Sequence, residues 1–74
     1  MNANQKIKAA QRERERWVVA QIRAAKKEKK RRWRPREGLT GVTIFNAIER
    51  LVERGRIRWY RSRQWLYSGY EEVA

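Results

Sequence analysis

Thr43, Asn46, Ala47 and Arg50 lie three or four positions apart, the interval that gathers side chains on one face of a helix. The set contains no general base or nucleophile, so its chemistry is recognition. A carboxamide can pair with adenine, a guanidinium with guanine, and a threonine with a base edge or, through its methyl, with thymine. A second set, Arg58, Arg61, Ser62 and Arg63, brings three guanidinium groups close together, suited to phosphates or to a narrow minor groove. The third is the run 26–36, KKEKKRRWRPR. In it Lys26, Lys27, Lys29, Lys30, Arg31, Arg32, Arg34 and Arg36 oppose a single acid, each able to neutralise a phosphate. Thr40 and the amides of Gly41 and Val42 could take a further phosphate at the positive end of a helix dipole.

Composition points the same way. The 74 residues hold 20 Lys and Arg against 8 acids, a net charge of +12 that invites a polyanion and repels itself in the compact state. Fourteen of those bases lie in residues 1–37, so the first half anchors, and the more balanced remainder has the composition of a folded unit. Without His or Cys, the commonest catalytic base, the commonest metal ligand and any disulfide are missing. Neither catalysis nor a metal or cofactor is expected. The longest apolar run, 17–20, falls far short of the roughly 20 residues that span a bilayer, and no secretory segment follows Met1. The expectation is a soluble cytoplasmic protein, with a single small domain.

Helices and a hairpin must position these groups. Residues 2–30 lack Pro and Gly, which predicts a helix that is firm over about 11–30 and frayed over 1–10, packing through Trp17, Val18 and Ile22. A basic connection over 31–38 follows, in which Pro35 disfavours helix and Trp33 docks on the core. Over about 41–54, Val42, Ile44, Phe45, Ile48, Leu51 and Val52 predict an amphipathic helix with a wholly apolar face. Thr40 or Thr43 would cap it, Gly55 would end it, and Glu49 and Glu53 would turn toward arginines of the first helix. The stretch RIRWYRSRQWLY predicts a hairpin over 57–68, with 57–60 against 65–68 and Tyr60 or Trp59 opposite Trp65. The chain's four tryptophans and three tyrosines are expected to serve as core, and 71–74 to be a loosely held acidic tail outside the 11–70 domain.

The run Thr43-Ile44-Phe45-Asn46-Ala47-Ile48-Glu49-Arg50-Leu51-Val52-Glu53-Arg54-Gly55-Arg56-Ile57, followed by an aromatic hairpin, resembles the winged helix-turn-helix superfamily of small phage and bacterial regulators. The resemblance implies an α+β, mainly α fold: a long basic first helix, a middle helix shortened to one turn over 34–39, a recognition helix and a C-terminal hairpin wing. It also implies a sequence-selective double-stranded DNA-binding protein, a transcriptional regulator or an architectural factor. The recognition helix would enter the major groove and the wing the minor groove or the phosphates.

Two other classes account for the charge. An RNA-binding protein of ribosomal or antitermination type would stack unpaired bases on Trp33, Trp59, Tyr60 and Trp65. A basic interaction module would dock on an acidic host protein. A homodimer could form through Ile7, Ala10, Trp17 and Val18.

Overall fold

Asn2 and Gln5 start the first helix earlier than composition suggests. In the computed structural model, which describes residues 2–36 and 41–73 apart from the side chain of Lys29, the Gln5 amide donates to Asn2 Oδ1 (2.9 Å) and the Asn2 amide to Gln5 Oε1 (3.1 Å). This reciprocal capping box satisfies two otherwise orphaned donors. Helix α1 therefore runs Ala3–Lys29, and the frayed segment expected over the first ten residues is helical from Ala3. Lys30 ends it at φ +53, in the left-handed conformation usually left to glycine, and the Arg31 amide closes on Ala25 O.

No helix follows in 31–36, so the expected middle helix is absent there, and its remaining positions and Thr40 lie outside the described residues. What the connection supplies instead is a β-bridge. The Tyr70 amide donates to Trp33 O at 2.8 Å. Helix α2, Val42–Glu53, ends as expected: Gly55 takes φ +70, its amide bonding Val52 O and that of Arg56 bonding Leu51 O.

The hairpin has a different second strand from the one expected. Strand β1, Ile57–Tyr60, pairs antiparallel with β2, Gly69–Glu72, placing Trp59 opposite Tyr70 and Arg58 opposite Glu71. Residues 61–68 become a long connection containing a 3-10 turn at Trp65–Tyr67. Ser68, almost fully buried, holds it closed: Ser68 Oγ accepts from the Ser62 amide at 2.9 Å. The tail expected to be loose is thus a strand. Its carboxylates hold it to the rest of the chain, Glu71 between Arg32 (2.5 Å) and Arg58 (2.7 Å), Glu72 on Arg23 (2.6 Å).

The architecture is α+β and mainly helical, with two helices and a two-stranded sheet among the described residues. Val18 and Ile22 of α1, Ala47, Ile48 and Leu51 of α2, and Ile57 of β1 make the core, with Ile44, Trp33 and Tyr70 against it. Two expected faces are narrower than their apolar composition implies. Val42, Phe45 and Val52 stay exposed, because among the described residues α1 and β1 cover only one side of α2. Of the stripe Ile7, Ala10, Trp17 and Val18, Val18 is buried in the chain's own core, while Trp17 is half exposed with its ring edge-on to Trp33.

Candidate nucleic-acid interface

The four positions expected to read bases do not form one surface. Thr43 and Asn46 are exposed on the first turns of α2, but Ala47 is fully buried in the core, since it sits beside Ile48 and Leu51 on the inward arc. Arg50 turns toward α1. Its Nε lies 3.8 Å from Glu15 Oε1 and its Nη2 donates to Gln11 O at 3.5 Å, while Arg54 makes a closer ion pair with the same carboxylate. The pairing between helices thus has the reverse sense to that expected. Arginines of α2 meet an acid of α1, whereas Glu49 and Glu53 are exposed and make no ion pair among the described residues.

A longer cationic surface lies on α1. At about 100° per residue, Lys8, Arg12, Arg16, Arg23, Lys26 and Lys27 fall within a third of the helix circumference, Arg23 being paired with Glu72 and Lys30 lying just past the helix end. Glu13 and Glu28 lie roughly a quarter turn or more from its centre, and Glu15 is buried. At about 1.5 Å per residue the stripe is roughly 29 Å long. A cleft of about 670 Å³ carries it across to the end of α2, where Arg54 and Arg56 face Arg12, Arg16 and Arg23. A helical projection of residues 8–27 already contains this stripe, although the denser run 26–36 overshadows it.

Within that run, roles divide. Lys26, Lys27, Lys30, Arg31 and Arg36 are exposed, and Lys29 belongs to the last turn of α1. Arg32 is structural: besides Glu71 it bonds Tyr67 O at 3.2 Å and lies 3.7 Å above the Tyr60 ring. Arg34 covers the Trp65 ring at 4.6 Å. Of the wing set, Arg58 is held by Glu71 and the Ser62 amide by Ser68, which leaves Arg61 and Arg63 outward. The aromatics expected as core divide as well. Trp33 and Tyr70 pack inward, but Trp59, Tyr60, Trp65 and Tyr67 are exposed, Trp65 to 70%.

These ion pairs give the fold a pH dependence. The hydrogen bond from Arg32, with a further one from Arg58, holds the Glu71 carboxyl below its ordinary 4.5 against the opposing effect of burial; the hydrogen bond from Arg23 does the same for Glu72. Groups whose folded pKa is lowered add stability above the unfolded value and lose it as pH falls through the folded one. Thermal melts should therefore show stability declining below the ordinary carboxylate pKa of 4.5. Glu71→Gln should be less stable at neutral pH and show a shallower decline; an unchanged acid slope in that variant would contradict the assignment.

The site offers fixed positive charge, exposed aromatic rings and a few hydrogen-bonding side chains. Among the described residues there is no cluster of three potential metal ligands, and no helix long and apolar enough to cross a membrane. Comparison with protein-family models, curated proteins and solved structures finds no match for this chain.

Proposed function

We propose that this protein binds double-stranded DNA, gripping the phosphate backbone through the stripe on α1 and its extension at Arg56, since Arg54 is already paired with Glu15. The observation that carries the reading is the stripe itself, six cations on one helix face continuing across a cleft to a second element. Its length of roughly 29 Å covers most of the 34–36 Å of one duplex turn. The fold is read as a reduced winged helix-turn-helix. The order helix, basic connection, helix closed by Gly55, antiparallel hairpin supports that reading, and the duplex contact is assigned to α1 and the end of α2, not to the 61–68 loop.

Base reading is narrow in this arrangement. Ala47 and Arg50 are withdrawn, so direct contact falls to Thr43 and Asn46, while Glu49 and Glu53 keep the rest of α2 off the phosphates. The protein then acts more as an architectural or weakly selective factor than as a stringent reader.

The test is anisotropy of a labelled duplex of about 20 base pairs across a salt series, because each neutralised phosphate contributes about 0.9 to the log–log slope. Replacing Lys8, Arg12 and Arg16 together with Gln should reduce that slope by about 2 to 3. These side chains are exposed, so the fold should survive. A triple variant with wild-type affinity and slope would refute the stripe as the DNA contact.

A further inference from the structure

The hairpin loop combines two features that the duplex reading leaves unused. Trp65 is the most exposed aromatic ring of the loop and hairpin, with Trp59 6.2 Å away and Tyr60, Leu66 and Tyr67 exposed beside it. In a chain of this size such area would ordinarily be buried, since each aromatic side chain contributes about 150–250 Å² of burial. Around these rings the charge is positive. Arg34 lies over Trp65, and Arg36, Arg61 and Arg63 make no ion pair among the described residues; the nearby carboxylate of Glu71 is already neutralised by Arg32 and Arg58.

Arg34 also borders a cleft of about 690 Å³ between α1 and the connection. Trp17, Trp33 and Gln21 line it, Arg36 and Leu66 stand at its edge, and Glu28 is the one carboxylate there. It has room for a base, flat rings on its walls and an amide able both to donate and to accept hydrogen bonds.

We propose that this surface is a binding site for unpaired nucleotides: one base stacks on Trp65, a neighbouring base enters the cleft beside Trp33, and Arg36, Arg61 and Arg63 take the intervening phosphates. Rings alternating with guanidinium groups suit a single strand, because every base presents a π-face while the phosphates require cations at intervals. A duplex cannot use the rings, as its bases are already stacked. An apolar protein partner would have to desolvate the surrounding arginines without supplying carboxylates.

The proposal rests on the reading that the protein binds nucleic acid, but on different residues from the duplex contact. The probes are an oligothymidylate of about 12 nucleotides, within the usual site size of one small binding module, and the blunt duplex. Trp65→Ala should weaken oligothymidylate binding by about tenfold or more, the loss of one stacked base, and leave duplex affinity unchanged. The triple Lys8, Arg12, Arg16→Gln variant should act mainly on the duplex. Trp65 is exposed enough for its variant to fold, and circular dichroism checks that it has. Failure of the wild type to bind oligothymidylate overturns the proposal, as does a Trp65→Ala variant that weakens both probes equally or neither. If the strand binds in a Trp65-dependent way and the duplex does not bind, the duplex reading falls and this one stands.

Discussion

Gly69→Ala is expected to destabilise the protein by about 3 kcal/mol, combining overpacking at about 1–3 kcal/mol with loss of a backbone hydrogen bond. A Cβ at this position would stand 2.7 Å from Trp33 O and 2.9 Å from Arg32 Cβ. One contact is backbone and the other lies at the root of a side chain, so neither yields by rotating a flexible end. β2 and the connection must separate instead, which breaks the bond from the Tyr70 amide to Trp33 O and displaces Arg32 from Glu71. For a chain of this length the loss corresponds to a melting temperature lower by roughly 12–24 °C. Gly55→Ala is the control. Gly55 has a positive φ but nothing within 4 Å of a built Cβ, so only conformational strain opposes the change, about 1 kcal/mol. Urea melts of the two variants decide the matter. If Gly55→Ala proves the more damaging, the close approach of the connection to β2 is not what holds the sheet to the helices.

Glu15→Ala should cost about 2 kcal/mol, less than the roughly 3–5 kcal/mol usual for breaking a buried pair from one side. The discount follows from exposure. The Glu15 side chain is 10% exposed and that of Arg50 29%, but that of Arg54 is 57% exposed and regains water when its partner goes. Arg50 cannot do so fully; its Nε is buried and lacks a hydrogen bond even with Glu15 present. Hence the sharper test is a pair of variants. Glu15→Leu alone leaves Arg50 unpaired beside the core, whereas Glu15→Leu with Arg50→Leu replaces an ion pair by apolar contact and should recover most of the loss. A single variant within about 0.5 kcal/mol of wild type would mean that the contact between the helices is held by packing alone.

Some of this architecture is visible in the residue order, and the reasons differ element by element. The body of α2 and its end at Gly55 are legible because periodicity and a positive-φ glycine are local properties. β1 is legible from its β-branched and aromatic residues, but β2 is not. Glu71 and Glu72 resemble a solvated tail until one considers that carboxylates are the scarce partners in a chain of charge +12. Among the described residues, three acids, Glu15, Glu71 and Glu72, carry the ion pairs that join separate elements. Trp65 reads as core in the sequence because burial is the common fate of tryptophan, and nothing local shows which side of a hairpin will lack a cover. The withdrawal of Arg50 is likewise non-local. Its position on α2 is compatible with a groove, and only the acid one turn beyond Gln11 on α1 draws the side chain inward.

The first two turns of α1 are exposed at every position from Ala3 to Ala9, secured at their start by the Asn2–Gln5 capping box. Beyond Val18 the same helix is tied to the core. One continuous rod therefore has two thermodynamic characters: its outer end opens by local fraying, its inner end only when the whole domain unfolds. Lys6, Lys8 and Arg12 place like charges on the end with the least stabilisation of its own. A polyanion laid along that end, as proposed above, would supply the missing counter-charge, so that ordering the helix and holding the ligand would become a single equilibrium there.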